Sequence, residues 1–154
     1  MNPEHSHPAS SDDPMEQMIC FDLYAASQAF TRQYKPLLDP LGLTYPQYLV
    51  MLNLWTDEPL TVGDIGKRLS LESNTLTPLI KRLQDAGLVT RRRDPADERR
   101  VAVGLTDAGR ALETRAAHVP SRILEATGMQ TSELVELQTR LRRLTRHMQA
   151  HRGK

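Results

Sequence analysis

Apolar residues recur every three or four positions along most of the chain, which predicts a protein built mainly of amphipathic helices. A first helix is predicted over residues 14–38 and a second over residues 44–56. The second has a recognisable start, because Thr44 and Gln47 have the spacing of a capping box and Pro46 stands in the first turn.

Two short helical patterns follow, separated by about four residues. Thr61 is expected to cap the first, over residues 62–69, and Ser73 to cap the second, over residues 74–86. Gly87 follows at the position where a left-handed residue ends a helix. Two short helices joined in this way predict a helix-turn-helix.

The pattern then changes from helical spacing to alternation. Residues 88–93 and 100–106 alternate apolar and polar side chains around a polar tip at 94–99, which predicts a β-hairpin. Thr106 is expected to cap a long helix that runs to about residue 126 with a kink at Pro120. A last helix is predicted to begin at Thr131 or Ser132 and to end near residue 150.

Composition adds limits to this outline. The chain has 154 residues and a net charge of +1, which fits one domain over residues 14–154. Residues 1–13 are polar and acidic and are expected to form a disordered tail rather than a secretory signal. No apolar run is long enough to span a membrane, and the single cysteine excludes an internal disulfide, so a cytoplasmic protein is expected.

Basic residues concentrate in the helix-turn-helix and the hairpin, which suggests a surface for a polyanion. A helix-turn-helix followed by a basic hairpin predicts a winged helix that places its second helix in the major groove of double-stranded DNA. Arg99 is the best candidate for insertion into a minor groove, with Asp97 bracing its guanidinium. A helical corner used only for packing is the alternative. The predicted DNA contacts are Ser73, Asn74, Thr75, Thr77, Lys81, Arg82, Arg91, Arg93, Asp97 and Arg99.

This stretch resembles the MarR family of bacterial winged-helix regulators. The wing motif D-x-x-D-x-R at 94–99 and the following LTDAG at 105–109 are typical of that family, and the resemblance covers residues 15–148. It implies a mostly α-helical fold with a small β-wing, in which helices 14–38 and 106–150 form a homodimer and residues 44–105 bind a pseudo-palindromic operator. An apolar stripe at Leu134, Leu137, Leu141 and Leu144 fits a dimer helix, although a stripe buried within one chain would look the same.

The only cysteine, Cys20, lies in the first helix, with Tyr24 one turn later on the same face. Tyr34 lies on that face too, but roughly 21 Å away along an unbroken helix. Cys20 and Tyr34 can therefore meet only across a two-fold axis, where Tyr45 would arrive with Tyr34. Phenol hydrogen bonds to sulfur and a nearby helix N-terminus both favour the reactive thiolate. The alternative is an inert, buried thiol.

Residues 20–27, 34–39 and 44–48 resemble the OhrR branch of the same family, which senses organic hydroperoxides. The resemblance implies that Cys20, Tyr34 and Tyr45 form the sensor. It also implies the one-cysteine type, in which a low-molecular-weight thiol captures the oxidised sulfur.

The sequence thus predicts a DNA-binding repressor that releases its operator when an organic hydroperoxide oxidises Cys20, without a cofactor or a metal site. Two alternatives remain open at this point. One is a repressor released by a small aromatic anion, with Cys20 incidental. The other is a thiol peroxidase, although a resolving cysteine and an evident oxyanion site are both missing from the sequence.

Overall fold

The computed structural model describes residue 14 and residues 17–152, so the predicted tail at 1–13 lies outside the described residues. The described part contains seven α-helices and three short strands. In chain order they are α1 (Ile19–Leu38), α2 (Tyr45–Thr56), β1 (Leu60–Thr61), α3 (Val62–Leu69), α4 (Ser73–Asp85), β2 (Val89–Arg93), β3 (Val101–Leu105), α5 (Asp107–Ala116), α6 (Val119–Thr127) and α7 (Thr131–Ala150).

The first two helices lie close to their predicted positions. α1 begins at Ile19 rather than at residue 14, and it continues through Pro36 to a 3₁₀ turn at Asp39–Leu41. The capping box of α2 is confirmed, since the Gln47 backbone N–H donates to Thr44 Oγ1 and the Thr44 N–H donates to Gln47 Oε1. This cap fixes where α2 starts, after the 3₁₀ turn that follows α1.

The helix-turn-helix is confirmed as α3 and α4. Thr61 caps α3 as predicted, and its hydroxyl accepts a hydrogen bond from the Asp64 N–H at 3.1 Å. The prediction that Ser73 caps α4 is wrong. Ser73 is already the first helical residue, and Glu72 precedes it without a side-chain cap. Gly87 follows α4 with φ +75°, the left-handed geometry that its position predicted.

The hairpin is confirmed, and it belongs to a three-stranded antiparallel sheet of order β1-β3-β2. Val89 pairs with Leu105 and Arg93 pairs with Val101, so the two long strands match along their whole length. The third strand, β1, was not predicted because two residues are too few to show alternation. It joins the wing to the start of α3.

The region after the wing differs from the prediction. Thr106 caps α5 as predicted, and its hydroxyl accepts a hydrogen bond from the Gly109 N–H at 3.0 Å. The prediction of a single long helix, however, is wrong. The chain breaks at Ala117 and His118 and resumes as α6, with Pro120 in its first turn, where a proline needs no amide hydrogen.

The predicted cap of the last helix is also wrong. α7 is preceded by Gln130, which forms a capping box with Glu133, so neither Thr131 nor Ser132 is the N-cap. Only Met129 and Gln130 separate the first turn of α7 from the left-handed Gly128 that ends α6.

The core lies under the helix-turn-helix and is centred on α2. Tyr48, Val50, Met51 and Leu54 of α2 are at most 2% exposed, together with residues of α3, α4 and β3. Tyr48 is a core residue. Helix α7, in contrast, contains no buried residue, and Leu137 is still 42% exposed. Its apolar stripe is therefore not part of a core within one chain. No helix among the described residues is both long and apolar enough to cross a bilayer.

Candidate DNA interface and thiol site

Helix α4 presents two different faces. Leu76, Ile80 and Leu83 are at most 1% exposed and anchor the helix to the core. The polar residues between them point outward, and this holds for all six predicted contacts of this helix: Ser73, Asn74, Thr75, Thr77, Lys81 and Arg82. An α-helix held on one side and polar on the other has the form that enters a major groove.

A cleft of about 570 Å³ separates α4 from the wing. Hydroxyl, amide and guanidinium groups surround much of it, which suits a phosphate backbone. Its polar and charged lining residues are Thr61, Ser73, Thr77, Gln84, Arg91, Arg93, Arg99 and Arg100. The structure thus brings the predicted Arg91, Arg93 and Arg99 to the same cleft as the start of the recognition helix.

Three polar cleft residues, Thr61, Gln84 and Arg100, were not among the predicted DNA contacts. Gln84 accepts a hydrogen bond from Arg91 Nε at 2.8 Å and so holds the Arg91 side chain beside α4. Arg100 lines the same cleft from the wing. The signal for Arg100 was its basic charge directly before β3, whereas nothing in the sequence pairs Gln84 with Arg91.

The tip of the wing is held by aspartates that accept from the backbone. Asp97 Oδ1 accepts from the Arg99 N–H at 3.1 Å, and Asp94 Oδ1 accepts from the Ala96 N–H at 2.9 Å. The prediction that Asp97 braces the Arg99 guanidinium is therefore wrong in this structure. Both aspartates instead shape the turn that presents an exposed Arg99.

One carboxylate fastens the wing to the helix behind it. Glu58 Oε2 accepts from the Leu105 N–H at 2.7 Å, while Glu58 Oε1 accepts from Arg110 Nε at 2.9 Å. A charged acceptor bound to a strand and a helix at once holds β3 against α5. The orientation of the wing therefore depends on a residue that lies outside it.

The predicted sensor thiol, Cys20, lies at the N-terminal end of α1. Cys20 is the second residue of α1 and is exposed. Its neighbours are exposed too, with Tyr24 at 63% and Phe21 at 43%. Within the described part of one chain, Cys20 is thus not the buried, inert thiol of the alternative interpretation.

The remaining two predicted sensor residues form an aromatic cluster. The ring centroids of Tyr34 and Tyr45 are 4.6 Å apart, and those of Tyr34 and Tyr48 are 5.9 Å apart. Burial raises the pKa of Tyr34 to about 12, with smaller contributions from Tyr45 and Tyr48, and burial also raises the pKa of Tyr45. Among the described residues no hydrogen bond involves these phenols, so each has a protonated hydroxyl to donate.

Cys20 and this cluster are far apart in one chain. α1 runs unbroken from Ile19 to Leu38, which puts Cys20 and Tyr34 roughly 21 Å apart along the helix. Of the three predicted tyrosines, only Tyr24 lies at the same end of α1 as Cys20. In the described part of the chain no group of His, Cys, Asp and Glu residues is placed to hold a metal ion.

Comparison with known proteins places this architecture in a family. A family model described as the MarR family matches residues 43–101. The organic hydroperoxide resistance transcriptional regulator of Bacillus subtilis is 46% identical over 82% of this chain and 86% of its own length. The HTH-type transcriptional regulator TtmR of Methylorubrum extorquens is also 46% identical, over 92% of this chain and 74% of its own length.

A solved structure of reduced AbfR bound to DNA agrees in fold. It superposes with a TM-score of 0.74 at 34% identity and covers 87% of this chain and 94% of its own. The exposed α4, the basic wing and these similarities lead to one conclusion: the chain belongs to the MarR family of DNA-binding transcriptional regulators.

Proposed function

We propose that the protein is a homodimeric repressor that releases operator DNA when an organic hydroperoxide oxidises Cys20. The observation that carries the proposal is the division of the sensor between the two ends of α1. An exposed thiol lies at one end, and two phenols with free hydroxyls lie at the other. Two copies of α1 in antiparallel contact would bring each thiol to the tyrosines of its partner.

Exposed apolar surface supports the dimer. Phe30 of α1, Leu124 of α6, and Leu137 and Leu141 of α7 are between 37% and 54% exposed. The groove between these three helices has a volume of about 340 Å³. Contiguous apolar surface of this kind usually marks an interface between proteins.

The chemical step requires only the thiolate and the peroxide. The sulfur attacks the terminal oxygen of the hydroperoxide, an S–O bond forms and the O–O bond breaks. Sulfur is oxidised to sulfenic acid, and the alkoxide that leaves takes up a proton to become an alcohol. A low-molecular-weight thiol then condenses with the sulfenic acid to give a mixed disulfide and water.

Oxidation would act on DNA through α2. Tyr45 is the first residue of α2, and α2 packs against both α4 and β3. If the partner's oxidised sulfur displaces the Tyr34 and Tyr45 hydroxyls, α2 moves at its start, and the recognition helix moves with it. The two recognition helices of a dimer must be one turn of DNA apart, because each enters the major groove of its own half-site. A change in that distance would therefore release the operator.

Two relatives each support one part of this function, the first the link to hydroperoxides and the second the binding of DNA. The Bacillus subtilis relative is named for organic hydroperoxide resistance, and AbfR has been solved in a reduced, DNA-bound form. An aromatic anion as the inducer has less support here. The cavity beside Tyr34 has a volume of only about 190 Å³, and its cation, Lys35, is paired with Asp39 at 3.0 Å.

The test compares the wild type with Cys20→Ser on an operator selected from random duplex DNA. We expect cumene hydroperoxide to release the wild type and to add one oxygen atom to it in intact-mass analysis. The variant should bind DNA equally well and ignore the peroxide, since the serine hydroxyl is not oxidised. Release of the variant by peroxide would refute the thiol switch and leave an inducer that acts elsewhere.

A further inference from the structure

Helix α7 has a second stripe beside its apolar one. Gln138, Arg142, Thr145, Arg146 and Gln149 share one face of the helix, since each lies three or four residues from another, and this face lies next to the apolar residues Leu137, Leu141 and Leu144. None of this polar stripe is buried. The stripe is needed neither for the core of one chain nor for the thiol site.

The polar stripe faces the turn of the helix-turn-helix. A cleft of about 350 Å³ has Ser70, Arg142, Arg146 and Gln149 in its lining. A second cleft, of about 550 Å³, has Ser70 and Gln149 again, together with Gly63, Lys67, Ser73 and Arg152. The two clefts therefore meet at Ser70 and Gln149.

The second cleft also adjoins the cleft of the predicted DNA interface. Gly63 and Ser73 line both of them. A continuous surface therefore runs from the wing arginines, across the first turns of α3 and α4, to the last two turns of α7.

The charge of this extension is mainly positive. Its ionisable groups are Lys67, Arg142, Arg146 and Arg152 against one carboxylate, Glu72. Among the described residues none of these five groups forms an ion pair. By contrast, Arg140, on another side of α7, is paired with Glu136. The arginines of the stripe are thus available to an external anion.

From this arrangement we infer that the stripe on α7 binds phosphates of operator DNA, in addition to the recognition helix and the wing. The inference rests on the proposed operator binding. Arginine is suited to the task because its planar guanidinium can donate two parallel hydrogen bonds to a phosphate. Since phosphate contacts carry no sequence information, this surface contributes affinity and register rather than specificity.

Salt dependence measures such contacts directly. Each phosphate neutralised by a cation changes the slope of log affinity against log salt concentration by about 0.9. A dimer carries Arg142 and Arg146 twice. Arg142→Gln/Arg146→Gln is therefore expected to make the slope shallower by roughly 2–4 and to weaken binding at least about tenfold near 0.1 M salt.

The experiment is a fluorescence anisotropy titration of the selected operator duplex over a series of salt concentrations. Arg140→Gln is the matched control, because it removes a positive charge from an exposed position on the side of α7 opposite Arg142 and should leave the slope unchanged. Arg142→Lys/Arg146→Lys should restore most of the slope. Arg99→Ala, in the wing, is the positive control.

The outcomes separate the two proposals. If the wild type binds no DNA sequence, the proposed function fails and this inference with it. A wild type that binds while the double glutamine variant keeps its slope would refute the inference alone. The inference is also refuted if light scattering shows that the double variant loses its dimer, because the stripe would then be a contact between protein chains.

Discussion

Neutral phenols are the residue-scale basis of the proposed sensor. Burial raises the pKa of Tyr34, Tyr45 and Tyr48, so these side chains stay protonated far above physiological pH. A protonated phenol can donate a hydrogen bond to a thiolate or to a sulfenic oxygen, whereas a phenolate cannot. Whether Tyr34 reaches sulfur is thus decided by its position and not by pH in the physiological range.

The same burial makes stability depend on pH in the alkaline range. In the unfolded chain Tyr34 ionises near pH 10, whereas in the folded protein it holds its proton to about pH 12. The unfolded state then binds fewer protons, so stability is unaffected by this group below about pH 10 and falls as pH rises towards 12. Urea unfolding midpoints at about pH 9 and about pH 11 test this. Tyr34→Phe should lose less stability over that interval, and an equal loss would contradict the assignment.

At the scale of elements, the wing and α5 are fixed by very close backbone contact. A Cβ on Gly109 would overlap the Leu88 carbonyl oxygen, so only glycine allows α5 to approach the loop before β2. Trp55 Nε1 donates to the Gly109 carbonyl at 2.9 Å from the other side. Glu58 adds its bonds to Leu105 and Arg110. The position of the wing is therefore determined by contacts among α2, α5 and the sheet.

Gly109→Ala should accordingly lower the free energy of unfolding. The methyl group meets backbone, which moves less easily than a side chain, so we expect a loss of about 2–3 kcal/mol and a fall in Tm of roughly 5–10 °C. Gly63→Ala is the control, because its Cβ would meet nothing closer than Thr61 Oγ1 at 3.8 Å. That change should stabilise α3 by up to about 0.5 kcal/mol. Thermal melts followed by circular dichroism compare the two, and equal melting temperatures would contradict the close approach.

At the scale of the whole molecule, one chain leaves its apolar stripe on α7 uncovered. Leu137, Leu141 and Leu144 remain 37–42% exposed, and the start of α1 exposes Ile19 and Phe21 as well. These surfaces lie on the N- and C-terminal helices and not on the helix-turn-helix or the wing. A homodimer that covers them would also set the distance between two recognition helices.

Leu137→Arg should weaken that dimer, because it places a charge within the apolar stripe. We expect a shift toward monomer in light scattering, together with a large loss of operator affinity, since a monomer contacts only one half-site. Thr139→Arg adds the same side chain on the opposite side of α7 and should leave both properties unchanged. If Leu137→Arg remained fully dimeric, the stripe would not be the interface.

The sequence by itself determined the features that depend on neighbours a few residues apart. Thr44, Thr61 and Thr106 each cap a helix because the amide that they bind lies three residues further on. The alternation in the wing and the left-handed Gly87 are equally local. For this reason the helix-turn-helix, the hairpin that follows it, the outward polar face of α4 and the family could all be predicted, whereas β1 and the break between α5 and α6 could not.

Only the tertiary structure decided the features that depend on distant residues. Glu58 accepts from a backbone N–H 47 residues away, and Gln84 of α4 holds Arg91 of the wing. The exposure of the α7 stripe and its place beside Ser70 also needed the folded chain. Side-chain spacing specifies which residues share a face of a helix. Which surface packs against that face depends on contacts between helices, and these cannot be predicted from the pattern within one helix.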